Sequence, residues 1–334
     1  MSAFDGRFGR SLGYSIKVLL IALTPFGVLL GQATAQDVVN LRMATVHNEG
    51  KYLDGQKKFV RLVDERTGGS VKIELFCCSQ LGGERQIADG VSLGSIDMAV
   101  LGATGAEALN LLFMPFLFRD KEHALSVVNG DVGQTLREKY HDETGNRLIG
   151  FVLQGTREFL TNGRAIRTPD DIRGMKIRAP ELPVVVASLK ALGASAAVVP
   201  FPELYLALQQ GAVDGWEGPV NVMHDAKHWE VAKFLSRASW IHDFNYLIAS
   251  DATWGRITPD DQKVVTDTWR EVAAEITANL AAGLDETYQR FTDNGVEVVV
   301  VDSAPFRELT KDVWKDFAPR IWGDGTYEAI QAAK

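Results

Sequence analysis

MKIRAPELPVVVASLKALGASAAVVPFPELYLALQQGAVDGWEG, residues 175–218, alternates strand-like and helix-like words and decides the fold class. MKIRAP (175–180) alternates apolar and polar residues and reads as a strand. PVVVASLKALG (183–193) reads as a helix, with Pro183 at its first position and Gly193 as its stop. AAVVP (196–200) is a second strand, PELYLALQQG (202–211) a helix ended by Gly211, and AVDGWEG (212–218) a strand running into a loop.

The same plan precedes it. VVNLRMATV (38–46) reads as a strand, and a helix over about 51–67 stops at Gly68-Gly69. VKIELF (71–76) is a strand, LGGERQIADGVSLG (81–94) a loop entering a helix, and 95–100 a third strand. SLGSIDMAV and LQQGAVDGW echo each other as helix, Gly cap, apolar residue, Asp and strand. Strand–helix alternation of this kind calls for parallel sheet covered by helices. The expected fold is therefore α/β with two lobes of like topology, their sheets parallel or mixed. The expected lobes are 36–154 with about 244–283, and 155–243 with about 284–334. Thr168-Pro169-Asp170-Asp171 and Thr258-Pro259-Asp260-Asp261 each offer an N-cap Thr, Pro at N1 and acids in the first turn. The second opens an amphipathic run, roughly 259–292, broken only by Gly283; as one helix of ~30 residues it would span ~45 Å and brace both lobes.

The 334 residues are 46% hydrophobic and 23% charged, with 31 Gly, 11 Pro and 2 Cys, which is ordinary globular composition. The formal net charge of −8 argues against a broad nucleic-acid surface. Residues 1–35 read as a secretory leader: Arg7, Arg10 and Lys17, then the apolar run VLLIALTPFGVLL (18–30), then Ala33-Thr34-Ala35, with cleavage expected before Gln36. The run is short of a membrane span and is interrupted by Pro25. Three basic side chains and one acid leave with the leader, so the mature chain is near −10. Cys77 and Cys78 are adjacent and cannot clip distant segments. They read as two small apolar residues at a strand end, with an oxidised or reactive pair open in an exported protein.

Two α/β lobes behind an export leader describe a capture protein whose ligand lies between the lobes, beyond the carboxyl ends of the strands. Arg178 ends the strand MKIRAP, and a guanidinium forks onto a carboxylate with two parallel hydrogen bonds. Arg157 follows the strand LIGFVLQ in the same way. Glu84 and Arg85 open a helix after Gly82-Gly83, where Glu84 can accept from ligand hydroxyls. Phe201, Trp216 and Trp254 are candidate apolar walls. His47 is a further candidate ligand-binding residue. No H-E-x-x-H, phosphate loop or G-x-G-x-x-G after the first strand is present, and no catalytic residue, cofactor or metal is expected. The rival readings are a metal-dependent hydrolase using His224 and His228, four apart, and an exported ligand sensor.

SQLGGERQI (79–87), PFLFRDKEHA (115–124), IRGMKIRAP (172–180) and ELYLALQQGAVDGWEGP (203–219), in this order, resemble the DctP-type solute-binding proteins of tripartite ATP-independent periplasmic (TRAP) transporters. The resemblance covers essentially all of 37–334. It implies a two-lobed fold with crossing strands at the hinge and a long helix spanning both lobes. It implies an organic acid in the cleft, handed to a membrane permease pair driven by an ion gradient; a monomer is expected, and because no later stretch reaches membrane-span length, no stable membrane insertion is expected. Arg178 matches the carboxylate-clamping Arg, Arg157 a second ligand Arg, Phe201 an apolar wall, and Glu84 the acid that sugar-acid binders turn toward hydroxyls. The departure is DGWEGP (214–219), where the pattern is D-G-Q-E-N-P: Gly218 stands at the Asn that contacts the carboxylate, and Trp216 replaces Gln. Glu217 or Asn245 would then reshape the site. A sugar acid such as a uronate is the best match, with a C4-dicarboxylate or a keto or hydroxy acid as alternatives.

Overall fold

The computed structural model describes residues 38–102 and 105–333. The leader reading falls on residues 1–35 and lies outside them. The described residues hold nine strands in chain order: β1 (Val39–Thr45), β2 (Val71–Phe76), β3 (Met98–Leu101), β4 (Arg147–Thr161), β5 (Lys176–Ala179), β6 (Ser195–Val198), β7 (Gly215–Pro219), β8 (Phe234–Ala249) and β9 (Glu297–Val300). Among the described residues they form one mixed sheet in the order β2-β1-β3-β8-β4-β7-β5-β6, with β9 also on β8. β1 pairs parallel with β2 and β3, and β5 pairs parallel with β6 and β7. These are the two repeated units read from the sequence.

The long antiparallel strands β4 and β8 join them. One end of each lies beside β3 or the helices near it, and the other end lies beside β7 or β9. A strand of 15 or 16 residues can reach across ~50 Å, so each belongs to both halves of the molecule. Their pairing slips at Leu148/Gly150, Leu153/Gly155 and Arg157/Phe159. Gly155 has φ +122, a conformation L side chains rarely adopt. Such bulges bend a strand and re-aim its side chains.

The 95–100 strand begins only at Met98. The amides of Ser95 and Ile96 both turn back to the Gly90 carbonyl at the end of the preceding helix. Asp97 accepts from the Arg42 amide at 2.8 Å, which anchors the turn. Thr168 forms a capping box with Asp171, and Thr258 accepts from the Asp261 amide. The expected single brace is two helices, Pro259–Ala282 and Leu284–Asp293, meeting at Gly283. The first packs on Lys51–Arg66 and β4, with Trp269 edge-on to Phe59 at 5.3 Å. Burying a ring such as Phe59 stabilises the fold by about 2 kcal/mol. The second helix places Tyr288 and Phe291 in a separate core with Leu204, Leu208 and Trp216. The pair therefore reaches both halves with a joint between. The C-terminal residues also bridge: Trp322 Nε1 donates to the Ala108 carbonyl and Gln331 Nε2 to the Leu117 carbonyl.

Candidate ligand-binding cleft

The carboxyl ends of β1, β3, β5 and β7 converge on a cleft of about 490 Å³, its mouth included. The space within it that a water-sized sphere can enter is about 60 Å³. Val46 and His47 enter from just past β1, Gly102 from just past β3, Arg178 and Pro180 from β5, and Trp216 and Pro219 from β7. The floor comes from β4 and β8, which supply Gln154, Arg157, Asp243 and Asn245. Asp243 and Asn245 are two apart and share a face of β8. Gln154 and Arg157 are three apart and would face opposite ways in a regular strand. The slip at Gly155 restores Arg157 to the cleft.

The two arginines differ in one decisive respect. Arg157 is buried, and its Nε donates to Glu217 Oε2 at 2.5 Å. Its Nη2 donates to Glu217 Oε1 at 2.7 Å and to the Glu217 carbonyl at 2.9 Å, and its Nη1 donates to Asp243 Oδ2. Burial by itself would lower its pKa, but Glu217 and Asp243 raise it overall. Arg157 is thus held by two carboxylates, with most of its fork in use.

Arg178 is equally buried, at 3% exposure. Its Nε donates to the Val199 carbonyl at 2.8 Å, and its guanidinium lies 5.9 Å from the Trp216 ring centroid. No carboxylate of the described residues pairs with it. Burial, then the charge of Arg157, lower its pKa to about 10, so it stays charged at neutral pH. A buried guanidinium with both terminal nitrogens unpaired is costly unless an anion is meant to join it.

The acids set the remaining character. Burial pushes Asp243 up to about 6 against the pull of Arg157, and Glu217 and Glu84 push the same way. Glu84 stands at the first turn of the helix Glu84–Ser92, with Oε1 accepting from the Gly102 amide at 2.8 Å. Burial holds His47 neutral by lowering its pKa to about 3, and its Nδ1 lies 2.6 Å from Thr45 Oγ1. Gln154 Nε2, Asn245 Oδ1 and Trp216 Nε1 are buried without hydrogen-bond partners, and all three residues line the cleft. Buried polar atoms are normally satisfied, so these are two donors and one acceptor awaiting a polar ligand.

Of the residues expected from the sequence, Arg178, Arg157, Glu84, Phe201, Trp216, Asn245 and His47 meet at this cleft. Arg85 lies in an adjoining cavity instead, with its Nε on Asp89 at 3.1 Å and Nη1 3.8 Å from Glu181 at the rim. Glu217 is a partner of Arg157 behind the cleft surface. Gly218 leaves room: a Cβ there would stand 2.1 Å from Trp216 Cζ3. The indole thus occupies the space that a side chain at 218 would need. Trp254 packs at the edge of the core beneath Pro259–Ala282, away from the cleft. His224 and His228 do not share a helix face, because the helix ends at Asp225 and His228 packs against Trp216 at 4.9 Å. Asp243, Gln154 and Phe113 were not read from the sequence. The signal for Asp243 was an acid two before Asn245 inside an apolar stretch.

Residues 43–320 match the family model described as bacterial extracellular solute-binding protein, family 7, DctP. The chain is 33% identical over 248 residues to the 2,3-diketo-L-gulonate-binding periplasmic protein YiaO of Escherichia coli K12, spanning 73% of this chain and 75% of that one. A TRAP periplasmic solute binding protein from Polaromonas sp. JS666, bound to D-erythronate, superposes with a TM-score of 0.84 at 29% identity, over 89% of this chain and 99% of that one. Another, from Xanthobacter autotrophicus Py2 with bound β-D-galacturonate, gives 0.83 at 26% identity, over 88% and 100%. The shared fold is two-lobed, and these relatives are solute-binding proteins, not enzymes. Among the described residues, no helix is long and apolar enough to cross a membrane.

Proposed function

The chain belongs to the DctP family of bacterial extracellular solute-binding proteins, and from that premise we propose that it captures a small hydroxylated monocarboxylate, best a sugar acid such as a uronate. It delivers that acid to a TRAP membrane permease. Arg178 is the observation that carries this reading: a buried, charged guanidinium in the cleft with no carboxylate of its own. The ligand carboxylate takes its two unpaired nitrogens. Gln154 Nε2, Trp216 Nε1 and Asn245 Oδ1 match a body of hydroxyls, which both donate and accept. Phe201 and Trp216 pack the carbon skeleton. The ligands of the YiaO relative and of the two solved neighbours, a diketogulonate, erythronate and galacturonate, are acids of this kind.

In this reading residues 1–35 are the cleaved leader and the mature protein works as a periplasmic monomer. The lobes are 36–154 with about 244–283, and 155–243 with about 284–334. They close about β4 and β8, where the Gly155 slip allows bending, and about the Gly283 joint between the two helices. Titration calorimetry with D-galacturonate, D-glucuronate, D-erythronate and succinate tests the ligand class, with neutral D-galactose as the control. One-to-one binding of at least one hydroxylated monoacid, and none of galactose, is the expected result. Equal binding of galactose, or of none of the acids, would overturn it.

A further inference from the structure

The turn after β2 holds two features that ligand capture does not use. Cys77 Sγ and Cys78 Sγ lie 2.8 Å apart, and both thiols are free. Cys78 and Ser79 each have φ +58, a left-handed conformation uncommon for side chains other than Gly and Asn. The turn is held from outside by the Cys78 amide, which donates to the His47 carbonyl at 3.0 Å, and from within by the Gln80 amide, which donates to the Cys77 carbonyl at 3.0 Å. The backbone therefore keeps the two side chains side by side. Cys78 is exposed and Cys77 half-buried. Burial, then the hydrogen bond with Cys77, push the Cys78 thiol up to about 11, so Cys78 rests as a thiol.

We propose that Cys77 and Cys78 are a reversible thiol–disulfide site, closed by exchange with an external disulfide and reopened by external thiols. One thiolate attacks the external disulfide, forming a mixed disulfide and releasing one external thiolate. The neighbouring thiolate attacks the protein-bound sulfur, which forms the Cys77–Cys78 bond and releases the second. The protons of both protein thiols end on the two external thiols, so one disulfide is reduced for one formed. The sulfurs need to approach by less than 1 Å to reach the bond length of about 2.05 Å. Adjacent α-carbons stand ~3.8 Å apart, below the usual disulfide span, which makes such a ring readily reducible. That property separates it from a structural staple. The turn runs from the His47 backbone at the cleft to Glu84, so the ring would form in the segment that carries Glu84.

Because these are the only 2 cysteines of the chain, the test is direct. The reduced full chain is treated with hydroxyethyl disulfide, and free thiols, intact mass and the tryptic peptide Ile73–Arg85 are followed. The expected product has no free thiol, carries no adduct, is lighter by two hydrogens and is monomeric on a non-reducing gel. Cys78→Ser should stop at the adduct on Cys77, and dithiothreitol should restore both thiols of the wild type. Adducts persisting on both cysteines, a covalent dimer, or two unreacted thiols would each overturn the proposal.

Discussion

Two buried arginines within one cleft should separate cleanly when stability and affinity are measured side by side. Arg157→Gln removes a guanidinium that neutralises Glu217 and Asp243, both themselves buried. Stranding buried charge in this way costs about 3–5 kcal/mol. A shift of about 2–4 °C per kcal/mol then gives a fall in melting temperature on the order of 10 °C. Arg178→Gln removes a guanidinium whose protein contacts are one hydrogen bond to the Val199 carbonyl and the face of Trp216. The lost bond and the relieved burial of an unpaired charge oppose each other, so stability should move by less than about 1 kcal/mol. Affinity should fall by about 2 kcal/mol or more, roughly thirty-fold, because the ligand carboxylate loses its charge-assisted bonds. Scanning calorimetry without ligand and titration calorimetry with the acid found to bind give the two axes. The reasoning fails if Arg178→Gln collapses stability as Arg157→Gln does, or if Arg178→Gln leaves affinity unchanged.

Other perturbations test neighbouring parts of the site. Gly218→Ala places a Cβ 2.1 Å from Trp216 Cζ3, and should destabilise by about 1–3 kcal/mol in a denaturant titration; in a Trp216→Ala background the same change should cost much less. Asp243 has a folded pKa of about 6, above its unfolded value, so the stability it contributes is full below the unfolded pKa and is lost as pH rises through 6. The melting temperature of wild type relative to Asp243→Asn should therefore decline between pH 5 and pH 7, and a flat difference would refute the assignment. Arg85→Ala should leave affinity within about threefold, since Arg85 is exposed and already joined to Asp89. A thirty-fold loss would return it to the ligand.

What the sequence disclosed and what it hid divide along physical lines. β2 occupies the residues read for it, 71–76, and β1 and β5 lie within a residue or two of their expected limits. Local alternation and Gly stops determine those elements. β8 was missed as a strand because FLSRASWIHDFNYLIA puts Arg, His, Asp and Asn among its apolar residues. Asp243 and Asn245 answer to the cleft, Ser239 to Glu158 of β4, and Arg237 to the Tyr288 ring. Arg157 illustrates the same limit. Its partners are 60 and 86 residues away, so no window on the chain could show that its fork was already occupied. The basic stretch 155–180 has six cations, yet Arg164, Arg167 and Arg173 bond the Asp171 carbonyl, Glu297 and Asp170 outside the cleft. Only Arg157 and Arg178 enter it. Local charge density thus pointed to the right segment for a partly wrong reason.

The charges around Arg178 also predict what the cleft should reject. Arg157 and Arg178 share the cleft with Glu84 and Asp243, and Glu217 lies behind Arg157, so a ligand carboxylate on Arg178 already leaves the site with more negative than positive groups. A second carboxylate at the far end of the ligand would find no unpaired cation among the residues lining the cleft, because Arg85 lies in the adjoining cavity. Two like charges ~4 Å apart repel by about 4 kcal/mol at an effective dielectric near 20. Even a third of that is a tenfold preference. If the cleft takes D-galacturonate, galactarate, which differs by oxidation of the far carbon to a second acid, should bind at least about tenfold more weakly at pH 7.5. The gap should narrow below pH 6, where Asp243 takes up its proton and one negative charge leaves the site. Competition calorimetry at the two pH values measures both. Equal or tighter binding of the diacid at pH 7.5 would mean that the acids are not facing the ligand. A gap that does not change with pH would remove Asp243 from the discrimination and leave Glu84 as its source.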